Sequence, residues 1–224
     1  MGRIRASMAF DDLRGSAGGV TVTRGRTGLV TQSAPKYRRP ISPAQAASMA
    51  RMETAGLAWN ELPERCVEEW RRYAKGIVRH GDVSGAAYHP LAFNLFSGLY
   101  CKTLQIDPEA APPMWPPQGP FLRDRIGIEV QGSAEGLLYV ASGPNRPGVL
   151  TELLYQKLPS RHRVPKPKYK SAGFRAFTEA ERTFVLPLEP GYYACAYAFV
   201  EASTGLASTV WPIGTVHVPD AAGV

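Results

Sequence analysis

The residues that could do acid–base or metal chemistry are few and widely scattered. No two histidines, and no histidine and cysteine, have the spacing of a zinc-ligand pair; the histidines are His80, His89, His162 and His217. The adjacent acids Asp11-Asp12 and Glu68-Glu69 diverge on the chain, which is more typical of solvated faces than of acid–base dyads. The sequence therefore predicts no catalytic site, metal or cofactor. A site assembled from distant residues is the alternative.

Phosphate-binding and nucleophile motifs are also missing from the sequence. The glycines between Gly15 and Gly19 are not followed by the Lys-Ser or Lys-Thr of a phosphate loop, and there is no Gly-x-Ser-x-Gly elbow. The cysteines, Cys66, Cys101 and Cys195, are odd in number and lack a C-x-x-C pair. They are predicted to pack as small apolar residues in a reducing compartment. A disulfide framework or a zinc site is the alternative.

Positive charge is concentrated in two segments. Residues 1–40 have a net charge of +6 and residues 157–175 one of +7, which leaves −6 for the rest of a chain whose total is +7. Both segments are predicted to be flexible, and such segments favour nucleic acid or an acidic protein surface as partner. A solvated loop is the alternative. The candidate partner-binding residues are Arg24, Arg26, Lys36, Arg38, Arg39, Arg161, Arg163, Lys166, Lys168 and Lys170.

The N-terminal half is predicted to contain a hairpin and three helices. Valines and threonines on both sides of Gly25 and Gly28 predict a β-hairpin over 18–34, after an irregular stretch over 11–19. Ser42-Pro43 begins a helix to about Trp59, with a stripe of Ala46, Met49, Met52, Gly56 and Trp59. Helices over about 60–78 and 90–104 follow, the last apolar on most faces and hence central.

The C-terminal half is predicted to be all β. Residues 107–124 are rich in proline and predict a semi-rigid linker, which Trp115 pins onto one domain. Strand patterns follow at 125–131, 137–141, 149–158 (strand or short helix), 182–188, 191–202 and 206–218. The sequence thus predicts an α+β protein of two domains. They are a small three-helix domain (41–106) with an N-terminal basic arm and β-hairpin (1–40), then an antiparallel β-sandwich (125–220).

No apolar run is long enough for a membrane helix, and the basic N-terminus lacks the apolar stretch of a secretion signal. We therefore expect no membrane partner. The expected location is a cytoplasm, or a particle built there.

Two resemblances add to these expectations. The stretch from Leu186 to Val218, with Pro190-Gly191 leading into Tyr192-Tyr193-Ala194-Cys195, resembles the last strands of fibronectin type III and immunoglobulin-like modules. Such modules usually bind partners or act as spacers and seldom catalyse reactions, so the resemblance implies a β-sandwich without an active site.

Residues 10–104 contain a second set of features, namely Leu13-Arg14-Gly15, the basic hairpin, Pro43-Ala44-Gln45, Trp59-Asn60-Glu61-Leu62, Glu69-Trp70 and Asn94-Leu95-Phe96. This set resembles a family of small uncharacterised proteins found often in bacteriophage genomes. Leu62 stands where the family has a polar cap before the second helix. The resemblance implies a virion component assembled in the bacterial cytoplasm, at the capsid, as a decoration or at the head–tail junction.

The preferred functional hypothesis is a non-enzymatic assembly protein whose basic segments dock on other virion subunits. These would be further copies in a homo-oligomer or a capsid or portal protein. The alternative is an architectural DNA-binding protein, because Trp59-x-x-Leu62 and Glu69-Trp70-x-x-Tyr73 resemble the helix pair of HMG-box proteins. The balanced charge of these helix faces favours packing over DNA contact.

Overall fold

The computed structural model describes residues 2–4, 15–17, 20–25, 28–33, 40–80, 85–119, 121, 123–163 and 168–220, with 2–4, 15–17, 24–25 and 28–29 described by their backbone alone. These residues form three helices and several antiparallel sheets, so the protein is of the predicted α+β class. The chain divides into two compact units, residues 1–46 and 47–224.

The first unit contains a four-stranded antiparallel sheet. Its strands are β1 (Gly2–Ile4), β2 (Gly15–Ala17), β3 (Val20–Gly25) and β4 (Gly28–Ser33), in the order β1-β4-β3-β2. The predicted hairpin is confirmed as β3 and β4, which pair from Val20 with Ser33 to Gly25 with Gly28. The prediction of an irregular stretch over 11–19 is wrong at β2, which gains its strand conformation by pairing with β3.

Three helices follow at nearly the predicted positions: α1 (Pro43–Glu61), α2 (Glu64–Gly76) and α3 (Ala92–Ile106). The predicted start of α1 is confirmed by a reciprocal cap, in which the Gln45 amide donates to Ser42 Oγ (3.3 Å) and the Ser42 amide donates to Gln45 Oε1 (3.0 Å). Helix α2 instead begins after Pro63, without a side-chain cap. A short ladder, β5 (Arg79–His80) with β6 (Ala87–Tyr88), separates α2 from α3.

The helices share an aromatic core. Trp70 and Phe96 are fully buried, with ring centroids 5.4 Å apart, and the Trp59 ring lies 5.3 Å from Phe96. Helix α3 contributes more buried residues to this core than α1 or α2, in line with its predicted central position. The predicted stripe of α1 is wrong in part, because Met49 and Met52 are exposed and Ala55 is the buried residue of this helix.

The proline-rich stretch lies against the helices. The described residues of this stretch, 107–119, 121 and 123–127, form no helix or strand. The Tyr100 hydroxyl donates to the Ala110 carbonyl (3.0 Å), Pro116 is buried, and the Arg65 guanidinium lies 5.8 Å from the Trp115 ring centroid. The stretch is therefore held along the helical part of the molecule.

Two antiparallel sheets make up the C-terminal half. The strands are β7 (Ile128–Ser133), β8 (Gly136–Ala141), β9 (Val149–Leu158), β10 (Lys170–Arg175), β11 (Thr183–Pro187), β12 (Gly191–Glu201) and β13 (Trp211–Val218). One sheet has the order β11-β8-β7 and the other β10-β9-β12-β13. The prediction of a flexible segment over 157–175 is wrong at both ends, since β9 extends to Leu158 and β10 begins at Lys170.

Both C-terminal sheets contribute to one buried apolar cluster. Leu137 and Tyr139 of the three-stranded sheet and Leu153, Tyr193 and Cys195 of the four-stranded sheet belong to it, all nearly or fully buried. The sheets also approach each other closely at β7 and β13, where a Cβ added at Gly132 would lie 1.8 Å from the His217 carbonyl oxygen.

Helix α3 is tied to the four-stranded sheet by two contacts. The Lys102 ammonium lies 2.9 Å from Glu152 Oε2, and the Glu152 side chain is only 7% exposed. In the loop after β12, a Cβ added at Gly205 would lie 2.3 Å from the Leu99 carbonyl oxygen. Helix α1 from Ala47 onward, helices α2 and α3 and both C-terminal sheets belong to the same compact unit, and the domain boundaries at 107 and 125 stay a prediction.

We expect Gly205→Ala to destabilise the protein more than Gly148→Ala. Both glycines have a positive φ, +72° and +78°, so alanine is strained at each by about 1–3 kcal/mol. Only at Gly205 does the methyl group meet another element, which adds about 1–3 kcal/mol of overpacking. Urea unfolding of both variants measures the difference, and equal losses of unfolding free energy would show that the loop does not dock on α3.

Candidate partner-binding site

A groove with a basic rim lies at one end of the C-terminal sheets. The end of β9, the residues that lead into β10 and the turn between β11 and β12 enclose a volume of about 530 Å³. The lining residues are Tyr155, Gln156, Lys157, Lys168, Lys170, Pro187, Leu188, Glu189 and Tyr193. Two of the predicted partner-binding residues, Lys168 and Lys170, are thus brought to the same groove, together with Lys157.

Two tyrosine rings from neighbouring strands contribute to the groove. Tyr155 of β9 lies diagonally from Tyr193 of β12, with ring centroids 6.3 Å apart. Tyr193 is nearly buried, and its hydroxyl donates to the Glu189 carbonyl oxygen (2.7 Å) in the turn before β12. This hydrogen bond fixes the turn that forms one wall of the groove.

The rim has three ammonium groups and one carboxylate. Lys157 Nζ lies 2.9 Å from Glu189 Oε2, and both side chains are more than half exposed. The hydrogen bond from Lys157 lowers the pKa of Glu189, and the same bond raises the pKa of Lys157. Lys168 and Lys170 have no acidic partner among the described residues. The rim therefore keeps two uncompensated positive charges at neutral pH.

The other predicted binding residues fall into three groups. Arg161 and Arg163 lie in the turn after β9, with exposed side chains. Arg24 lies in β3, of which only the backbone is described there. Outside the described residues are Arg26, Lys36, Arg38, Arg39 and Lys166.

A buried polar cluster at the other end of β9 was not predicted from the sequence. Asn145 Nδ2 donates to Asp124 Oδ2 and to Thr151 Oγ1, both at 2.9 Å, and the Phe177 amide donates to Asn145 Oδ1 (2.8 Å). Asp124 also accepts from the Arg146 amide (3.0 Å) and Arg146 Nε (3.2 Å). The asparagine in a Gly-Pro-Asn-Arg-Pro-Gly loop is the signal that could have pointed to it. The cluster anchors loops, because its polar atoms are engaged with one another.

The described cysteines have the environment of packing residues. Burial raises the pKa of the Cys195 thiol to about 11 and also raises the pKa of Cys101. A high pKa keeps both thiols protonated and thus poorly nucleophilic at neutral pH. The three cysteines are free thiols, and no group of three His, Cys, Asp or Glu residues able to hold a metal occurs in the part of the chain that the structure describes.

Comparisons with protein families, with curated proteins and with solved structures give no match to this chain. None of the described helices combines the length and the apolar character that a membrane crossing requires.

We expect Tyr193→Phe to lower the free energy of unfolding by about 1 kcal/mol, because the Glu189 carbonyl loses its hydrogen bond. Tyr192→Phe is the matched control, since the Tyr192 hydroxyl makes no hydrogen bond with any described residue, and it should change stability by less than about 0.5 kcal/mol. Chemical denaturation of both variants checks this. Equal effects would mean that the turn does not depend on the Tyr193 hydroxyl.

Proposed function

We propose that the protein is a non-enzymatic assembly component of a bacteriophage particle, docking on acidic surfaces of other virion subunits through its basic segments. The main support for this proposal is the basic rim, where Lys168 and Lys170 share a groove and have no acidic partner among the described residues. Arg161 and Arg163, in the turn after β9, are exposed and likewise lack an acidic partner there. Unpaired cations on ordered backbone attract and orient an acidic partner.

The virion location rests on the resemblance of residues 10–104 to phage proteins. Such a particle would be built in the bacterial cytoplasm. The docking partner would be a further copy of this chain or a capsid or portal protein, with the protein in a capsid-associated, decorating or head–tail position.

The proposal includes an immunoglobulin- or fibronectin type III-like sandwich at 125–220, as a domain separate from the helices at 41–106. Its support is the strand order, in which the first, second and fifth strands form one sheet and the other four the second sheet, with residues of both in one buried cluster. Tyr193, two residues before Cys195 and bonded to backbone upstream, has the arrangement of the tyrosine corner of such domains. Modules of this kind display binding surfaces on a rigid frame.

The alternative function is architectural DNA binding through an HMG-box-like helix pair. Trp70 is fully buried and packs against Tyr73 and Phe96. Trp59 also packs against Phe93 and Phe96. These rings are engaged in the helical core and are not free to stack on bases, so DNA contact would fall to the exposed faces of the helices. The balanced charge of those faces favours the assembly proposal.

The decisive test compares two triple variants with the same change in charge. Arg161→Ala/Lys168→Ala/Lys170→Ala removes three cations of the basic rim and the adjoining turn. Lys75→Ala/Arg79→Ala/Arg125→Ala removes three exposed cations elsewhere, which also have no ion pair with described residues. Each protein is produced in the host together with the particle, and purified particles are examined by mass spectrometry.

We expect the control variant to enter particles like the unaltered protein and the rim variant to be reduced by at least about tenfold, which corresponds to a loss of about 1.4 kcal/mol in binding free energy. Normal entry of the rim variant would overturn the docking proposal. Absence of the unaltered protein from particles would overturn the virion location.

A salt titration with a short DNA duplex distinguishes DNA binding from docking on an acidic protein. If the protein acts on DNA, the logarithm of the binding constant should fall linearly with the logarithm of the salt concentration, with a slope of about −0.9 for each phosphate contact. On the assembly proposal, poly-glutamate should bind more tightly than the duplex at equal salt. The reverse order would favour DNA binding.

A further inference from the structure

Strand β10 is an outer strand of the four-stranded sheet. It pairs with β9 on one side, from Lys170 opposite Tyr155 to Arg175 opposite Thr151, and no other described strand pairs with its outer side. An edge of this kind presents backbone N–H and C=O groups that a further extended chain can join. As far as the described strands go, the sheet thus has an open hydrogen-bonding edge beside the basic groove.

The opposite edge of the same sheet is covered. Strand β13 lies against β7 so closely that a Cβ at Gly132 would lie 1.8 Å from the His217 carbonyl oxygen. Pro212 also deprives β13 of one backbone donor, and the pairing of β13 with β12 is irregular near Cys195. Of the two edges, the β10 edge is therefore the one suited to an added strand.

A bulge places the cations of β10 on one face. The register shifts between Ser171 and Gly173, so that Lys170 and Arg175 oppose Tyr155 and Thr151, which are an even number of residues apart on β9. Residues directly opposite each other in an antiparallel pair lie on the same face. Lys170 and Arg175 therefore share the groove face, about 13 Å apart, the length of the four strand steps between Thr151 and Tyr155 on β9. The Arg175 guanidinium is held 4.0 Å from the centroid of the Phe184 ring.

These charges decide which strand the edge can accept. Lysines at an edge oppose pairing with a second copy, because the same cations would meet across the new ladder. The same charges attract a chain that has carboxylates at every second position, since alternate side chains of a strand lie on one face.

We propose that the outer edge of β10 binds an extended acidic polypeptide segment as an additional strand, with its alternate carboxylates facing Lys168, Lys170 and Arg175. This inference rests on the proposed function, because the acidic segment would belong to the docking partner. It adds that recognition uses backbone hydrogen bonds at a defined edge and not charge alone.

The test uses the full chain and two synthetic peptides of equal length and equal charge. One alternates glutamate with valine and can form a ladder; the other alternates glutamate with proline, whose fixed φ favours a polyproline II helix, in which the glutamates do not share one face and the pleat does not match the sheet. Binding is measured by calorimetry, and amide hydrogen exchange is followed by NMR for β10 and for β13. Lys168→Glu/Lys170→Glu is compared with Lys75→Glu/Arg125→Glu as the charge-matched control.

With the glutamate–valine peptide at ten times its Kd, we expect exchange of the outward amides of β10 to slow about tenfold, while β13 stays unchanged. The glutamate–proline peptide should bind at least about tenfold more weakly and protect no amide. The Lys168→Glu/Lys170→Glu variant should lose binding of the glutamate–valine peptide, and the control variant should keep it.

The outcomes separate the two proposals. Equal binding of both peptides without protection of β10 would overturn the added strand and leave docking through basic segments standing. Protection at β13, or at no strand, would likewise overturn the edge proposal. Failure of both peptides to bind, together with normal particle entry of the rim variant, would overturn both proposals. Displacement of the acidic peptide by a DNA duplex at lower concentration would assign the cations to nucleic acid.

Discussion

The carboxylate of Glu152 is nearly buried on β9, between the edge strand β10 and the long strand β12, and its two oxygens lie 3.1 and 2.9 Å from the Lys102 ammonium of α3. A buried charge that loses its partner costs about 3–5 kcal/mol. The same ammonium lies 5.5 Å from the ring of Phe174, which is opposite Glu152 on β10. One ion pair thus fixes the mutual positions of α3, β9 and β10, and the edge that carries the basic rim depends on it.

Strand β9 packs against a different part of the protein on each of its two faces. Glu152 faces α3 through its ion pair, whereas Leu153 and Tyr155 belong to the apolar cluster shared by the two sheets or pack against it. Because successive side chains of a strand point to opposite faces, both sets are buried at once. The resulting sequence, Leu-Thr-Glu-Leu-Leu-Tyr, has no simple alternation of apolar and polar residues. That is why its pattern allowed either a strand or a short helix.

Sequence patterns predicted the features that depend on residues close together in the chain. Ser42 and Gln45 cap α1 through neighbouring backbone groups, and the start of that helix follows from them. The cations Lys168 and Lys170 were identified by composition. The groove beside them was not, because its tyrosines come from β9 and β12, which are distant in the chain. Strand β10 was missed for the same reason, since its small and charged residues become a strand by pairing with β9.

An ordered basic edge differs physically from a flexible basic arm. Ordering one backbone residue costs about 1–2 kcal/mol, and in β10 that cost is already met by the folded protein. A partner strand then contributes more of its contacts to affinity than it could against an arm that must also become ordered. At physiological ionic strength, charges are screened beyond about 8 Å, so the net charge of the chain attracts a partner only weakly at a distance. On the edge proposal, discrimination between acidic partners would depend on the positions of the cations along β10, and these positions are set by the bulge between Ser171 and Gly173.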